Sequence, residues 1–224
     1  VTDKSTGASD PNESEAAKSD DAAGVSPSAV AADGDTRVPA GQRKVLFVLL
    51  ALAAVIYLID QLTKNWVVAN LPYGISQPVL GEFLQFHFVR NPGAAFSLAS
   101  GSTWIFAILA SCVVLFIIWY SARIRSVGWA VFLGLLLGGT VGNLSDRFFR
   151  EPGFPQGHVV DFISTPWMIP AIYNMADIFI VSSMAIFVML TFRGIRIDGT
   201  REPSKKERAA AEAAETAEEP GRGE

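Results

Sequence analysis

Four apolar stretches dominate the chain, over residues 45 to about 68, 103–120, 127 to about 144, and about 174 to 192. Each approaches the roughly 20 residues a helix needs to cross the hydrocarbon core of a bilayer, so the pattern predicts four membrane-spanning helices. Between the first two, residues 82–90 alternate differently, with Leu84, Phe86 and Phe88 set between Gln85 and His87. That period of two predicts a half-buried strand. Pro78 and Gly81 before it and Asn91-Pro92-Gly93 after it read as turns. His87 reads as a strand residue. The expected fold is an all-α membrane protein of four transmembrane helices with a small extracytoplasmic β-sheet.

Composition agrees with this, since half of the 224 residues are hydrophobic and the mean hydropathy is positive, at +0.32. The formal charge of -4 conceals an uneven distribution. Residues 1–37 carry about -5 and residues 201–224 about -2, which leaves the part between them basic. Residues 1–40 contain no aromatic residue and are rich in Ala, Ser, Asp and Gly, so they are expected to be a disordered acidic tail. A charged, disordered tail is expected again over 198–224, with the membrane domain at 41–197. The first apolar run begins too late and is too long for a signal-peptide core, and is expected to stay in the membrane. Cys112, the single cysteine, lies in the second span, which rules out a disulfide within one chain. It is expected to be buried in packing.

Basic residues near the span ends cluster at Arg37, Arg43, Lys44, Arg123, Arg125 and beyond Arg193, all on one side of a four-span topology. The positive-inside rule then places both termini in the cytoplasm. Asp60, Asn91, Asn143, Asp146, Arg147, Asp161, Asn174 and Asp177 thereby fall at the outer ends of spans or in the outer connections. Ionisable residues at such depths are costly enough to mark function.

Asp60 and Lys64, at i and i+4, share a helix face and fit an internal ion pair as well as a working group. Gly134, Gly138 and Gly142 form a smooth stripe for close helix packing. Asn143, Asp146 and Arg147 follow on about one face; snorkelling alone could account for the arginine but not for the cluster. Ser97 is a weak nucleophile candidate because no Gly-x-Ser-x-Gly elbow accompanies it. His158 beside Asp161 leaves a metal site conceivable, although no zincin-type motif is present. Pro166 and Pro170 permit the chain to reverse between Asp161 and Asp177. If the two carboxyl groups converge, they repel, one pKa rises, and the pair shares a proton near neutrality. Ion pairing, proton relay and catalysis all remain open on these grounds, and a transporter using intramembrane carboxylates is the main alternative.

Asp60-Gln-Leu-Thr-Lys64, Asn91-Pro-Gly-Ala-Ala-Phe-Ser97, Gly138-Gly-Thr-Val-Gly-Asn-Leu-Ser-Asp-Arg147, Val159-Val-Asp-Phe-Ile163 and Tyr173-Asn-Met-Ala-Asp177, in that order, resemble the motif set of signal peptidase II. The resemblance covers residues 45–190 and departs from the pattern at Tyr173, where the family usually has Phe. It implies a four-helix aspartic endopeptidase of the bacterial cytoplasmic membrane. Such an enzyme removes signal peptides from prolipoproteins just before the diacylglyceryl-modified cysteine. Asp161 and Asp177 match the catalytic pair, and Asn91, Asn143, Arg147 and Asn174 match positions that line the site. Asp60, Lys64, Gly142 and Ala176 complete the expected surroundings. The implied partners are lipid-modified prolipoproteins and membrane lipid, with no nucleic acid, no cofactor or metal, and a chain that acts as a monomer.

Overall fold

The structure is a computed structural model that describes residues 40–93 and 103–203, with 209, 210 and 213. The expected tail over 1–40 lies outside the described residues apart from Ala40, as does Ser97. Four helices carry the apolar stretches: α1 (Ala40–Asn70), α2 (Thr103–Ser121), α3 (Val127–Phe149) and α4 (Met175–Phe192). All four are long and apolar enough to cross a membrane. Helices α1 and α3 run past the apolar stretches at the end where the polar residues gather. The extra turn of α3 carries Asp146 and Arg147, just beyond Asn143.

Helix α3 is the most enclosed of the four, and its glycines explain why. A Cβ on Gly134 would stand 2.9 Å from the Leu49 carbonyl oxygen, one on Gly138 2.7 Å from that of Ala53, and one on Gly142 2.5 Å from Oδ2 of Asp60. The stripe is the contact line with α1. Gly139 looks the other way, where a Cβ would meet the Ala176 carbonyl oxygen at 2.7 Å, so α4 docks as closely. Leu50, Leu58, Leu109, Phe116 and Val181, among others, stay exposed on the remaining helix faces. In a spanning helix such side chains meet lipid and need no protein partner. Cys112 is exposed rather than buried. Its helix is covered by protein on a narrow face only, and a position in the middle of a span does not imply burial in protein.

At one end of the bundle lies a four-stranded antiparallel sheet in the order β1-β2-β3-β4. It comprises β1 (Ser76–Leu80), β2 (Leu84–Asn91), β3 (Val159–Ser164) and β4 (Ile172–Tyr173). Gly81, at φ +59°, turns β1 into β2. The strand expected at 82–90 is β2; β3, which carries Asp161, pairs with it with Val89 opposite Asp161 and Asn91 opposite Val159. Phe88, Val160, Phe162 and Ile163 close with Val67 of α1 into a small core that ties the sheet to the bundle. Residues 195–202 make a tight turn in which Ile195 bridges Arg201. The Ile197 carbonyl accepts from the Arg125 and Ser126 amides, so folded structure continues past residue 197.

Candidate active site

Between β3 and α4 the chain reverses, with Met168 and Ile169 donating to the Thr165 carbonyl at 2.9 and 3.1 Å. Strand β4 then returns beside β3, with Ile163 opposite Tyr173. This hairpin brings Asp161 and Asp177 to one place. Asn174 caps α4 in extended conformation (φ -131°, ψ -177°). Its Oδ1 accepts the Asp177 amide at 3.1 Å, and Asp177 Oδ2 accepts the Asn174 amide at 3.1 Å. This reciprocal cap fixes Asp177 at the first turn of the helix. With Oδ1 so engaged, Asn174 turns Nδ2 outward, where it donates to Asp161 Oδ1 at 2.6 Å and to Asn143 Oδ1 at 3.1 Å.

Two more asparagines are oriented by the same logic. Asn91 Oδ1 accepts the amide of Gly93 at 2.8 Å, so Nδ2 donates to Asp161 Oδ2 at 2.8 Å. Asn143 Oδ1 accepts from the Lys64 ammonium at 2.8 Å, and Nδ2 donates to Asp177 Oδ1 at 2.9 Å. A lysine ammonium only donates, and that removes any ambiguity in the direction of the Asn143 amide. Both carboxyl groups therefore accept on both oxygens.

Behind them lies a buried charge cluster. Lys64 Nζ sits 2.8 Å from Asp60 Oδ2 and 2.8 Å from Asp146 Oδ2, and all three side chains are fully enclosed. Asp60 Oδ1 accepts the Ala176 amide at 3.0 Å, which ties α1 to the start of α4. Asp146 also accepts from the Val160 amide at 3.2 Å and from Arg150 Nε at 2.5 Å. Gln61 bridges Asp60 and the Gly142 carbonyl at 3.1 and 3.0 Å. Gly142 leaves the room that Asp60 occupies. Gly142→Ala is therefore expected to push Asp60 off Lys64 and lower stability by about 1–3 kcal/mol. Gly41→Ala, where a Cβ meets nothing within 4 Å, provides the control in a thermal unfolding comparison in detergent.

Arg147 is brought alongside without joining the network. Its guanidinium lies 5.2 Å from the centroid of the Phe106 ring, and its buried Nη1 has no hydrogen-bond partner among the described residues. His87 belongs to the sheet, with Nδ1 2.7 Å from Ser76 Oγ, and His158 lines a different hollow. Among the described residues no group of three or more His, Cys, Asp or Glu is placed to hold a metal. The sequence pattern assigns no role to Gln61 or Arg150. The i,i+4 spacing of Asp146 and Arg150 was the available signal.

The two carboxyl groups differ in environment. Asp161 is 2% exposed, and its pKa is pushed up to about 7, first by burial and then by the nearby Asp177 charge. Hydrogen bonds from Asn91 and Asn174 and the Lys64 charge pull the other way. Asp177 instead borders a groove of about 400 Å³ lined by Met168, Ile169, Tyr173, Ile178, Val181 and Ser182. A carboxyl that keeps its proton near neutrality beside a second, more accessible one can serve as an acid–base pair.

The family model described as signal peptidase (SPase) II matches residues 52–193, a segment that contains every residue of this network. The chain belongs to the signal peptidase II family. Similar relatives include the lipoprotein signal peptidase of Leifsonia xyli, 52% identical over 79% of this chain and 80% of that protein. That of Rhodococcus jostii is 45% identical over 74% and 81%. Among solved structures, a bacterial membrane enzyme determined at 1.9 Å by the in meso method matches with a TM-score of 0.58 at 26% identity, over 65% of this chain and 92% of that one. A peptidase family, with four helices able to span a membrane, does not favour the transport alternative.

Proposed function

We propose that the chain is an aspartic endopeptidase in which Asp161 and Asp177 activate water against a peptide bond, and that its substrates are diacylglyceryl-modified prolipoproteins cut just before the modified cysteine. The observation that carries this reading is Asn174, whose Nδ2 donates to the Asp161 carboxyl while its backbone amide donates to the Asp177 carboxyl and its Oδ1 accepts the Asp177 backbone amide. At neutral pH the pair holds one proton. The carboxylate takes a proton from water as its oxygen bonds to the scissile carbonyl carbon, while the protonated partner donates to the carbonyl oxygen. Collapse of the tetrahedral intermediate breaks the C–N bond, and the amine leaves with a proton returned from the dyad. The apolar groove beside Asp177 suits an extended peptide, and the exposed helix faces around it suit acyl chains lying in the membrane. Asn91, Asn143 and Asn174 position the dyad.

Both termini are assigned to the cytoplasm and the dyad to the extracytoplasmic face, on the strength of the basic residues at the opposite span ends. The chain carries every group of the site itself, so a monomer suffices. The test is cleavage by the purified protein in lipid of a precursor with and without its diacylglyceryl group. The lipidated form alone should be cut, and equal cutting of both would remove the substrate assignment.

The pH dependence follows from the raised Asp161 pKa, although the apparent value belongs to the pair. Cleavage should fall as pH rises through about 7, where the shared proton is lost. Stability has the same sign. The native state holds this proton more tightly than the unfolded chain, so the Asp161 contribution is fully present below the ordinary carboxyl value, about 3.9. It is lost as pH climbs from there through about 7. Unfolding followed against pH should show that slope, and Asp161→Asn should remove it.

A further inference from the structure

Across the β2–β3 pair from the dyad lies a second concave site. Adjacent residues of a strand point to opposite faces. Asn91 and Asp161 turn toward the dyad, so their neighbours Arg90 and Val160, which pair with each other, turn to the other side. There a hollow of about 210 Å³ is lined by Arg90, Arg150, His158 and Glu151 against a wall that includes Val68 and Phe149. At roughly 30 Å³ per water, it has room for a phosphodiester and the first atoms of its substituents.

The charges in it are unbalanced and partly unused. Arg150 is pinned by Asp146 at 2.5 Å and by Asn65 at 2.9 Å, and these bonds leave its Nη1 without a hydrogen bond among the described residues. The Arg90 side chain has one hydrogen-bond partner among the described residues, Glu151 at 2.5 Å, in a pair whose side chains are 41% and 80% exposed. A pair this open contributes little and yields readily to a competing anion. The His158 backbone amide is held by the Glu151 carbonyl at 3.0 Å, but its imidazole has no hydrogen bond among the described residues. Burial, and then the Arg90 and Arg147 charges, hold the His158 pKa below its usual value. The imidazole thus sits neutral in a positive field, with an N–H to donate.

The depth of the hollow selects the ligand. Val68 lies two residues from the end of α1 at Asn70, and Phe149 is the last residue of α3. The hollow therefore lies where two spans leave the hydrocarbon, at the level of lipid headgroups. Both wall residues are exposed, Phe149 at 84%, and they continue the lipid-facing surface.

We propose that Arg90, Arg150 and His158 form a binding site for the headgroup phosphate of an anionic glycerophospholipid, whose acyl chains pass over Val68 and Phe149. The site is separate from the dyad and does not depend on the peptidase reading. Native mass spectrometry of the full chain, released from micelles holding equal amounts of phosphatidylglycerol and phosphatidylcholine, tests it. Phosphatidylglycerol should be retained over phosphatidylcholine by roughly fivefold or more, and Arg90→Gln with His158→Gln should lower its retention by roughly fivefold for each charge or donor removed. This pair of changes spares the Asp146–Arg150 contact. A second measurement needs no variant, because the chain has two histidines. Short-chain phosphatidylglycerol should move the His158 titration upward in the NMR spectrum and leave His87 in place, and short-chain phosphatidylcholine should move neither. Equal retention of the two lipids, undiminished retention by the variant, or an unmoved His158 would overturn the proposal. Inorganic phosphate shifting His158 as far as the lipid does would overturn the lipid assignment in favour of a free-anion site.

Discussion

Asp161→Asn and Asp177→Asn are each expected to reduce peptide cleavage by about 10²–10⁴-fold or more while leaving the protein folded. Asparagine is nearly the same size and keeps an acceptor oxygen, so the capping contact of residue 177 with the Asn174 amide survives. It can neither take a proton from water nor hand one to the leaving amine. Removing either member of the pair should therefore cost about as much as removing both. The variants also separate by environment. Asp161→Asn removes a buried carboxyl whose ionisation is disfavoured but sets its own Nδ2 against the Nδ2 donor of Asn91 or Asn174, so the variant should lose the fall in stability through about pH 7 that the parent chain shows. The checks are accumulation of lipidated, uncut precursor in membranes and thermal unfolding of the purified variants. Normal processing by both variants at equal protein levels would exclude the dyad.

Lys64→Met is expected to have the largest effect on stability, a loss of about 3–5 kcal/mol. Lys64, Asp60 and Asp146 are all 0% exposed, so the change would leave two carboxylates in a medium that solvates neither. Arg150 remains on Asp146, but nothing replaces the ammonium at Asp60. Activity should drop as well, because Lys64 also holds Asn143 Oδ1 and so aims the Asn143 amide at Asp177. Lys64→Arg should recover little, since a planar fork does not match three acceptors that each lie 2.8 Å from one nitrogen. Adding Asp60→Asn to Lys64→Met should restore part of the loss, because Asn keeps an acceptor for the Ala176 amide and carries no charge. Non-additivity of about 1 kcal/mol or more between the two changes, read from unfolding in detergent, would locate the cost in the unpaired carboxylate. Full additivity would locate it in lost packing.

Both predictions rest on features that differ in how openly the chain displays them. The four spans, the glycine stripe and the Asp60–Lys64 pair are local patterns. Their physical cause acts within about twenty residues, so hydropathy and i,i+4 spacing suffice to read them. Strand β2 is legible for the same reason, as Phe86 and Phe88 alternate with polar neighbours. Strand β3 is not, because five of its six residues are buried and a run enclosed on both faces has no alternation to show. Cys112 failed in the opposite direction. Its apolar neighbours promised a buried residue, but in a span lipid does what a protein core does elsewhere.

The motif set and its order were enough to point to a peptidase family and to single out residues that the structure gathers around Asp161 and Asp177. What the sequence could not determine was their meeting. Asp161 and Asp177 are separated by a reversal that Pro166 and Pro170 permit but do not compel. Convergence depends on β4 pairing back onto β3 and on Asn174 capping α4 while reaching Asp161. Lys64 in turn became a three-way partner only when α3, docked against α1 along its glycines, brought Asp146 and Asn143 to it. Hydrophobic pattern is a property of each segment by itself and survives in the sequence. The direction of an amide, the burial of a carboxyl and the proton it keeps are set by groups distant along the chain, and only the packed structure brings those groups together.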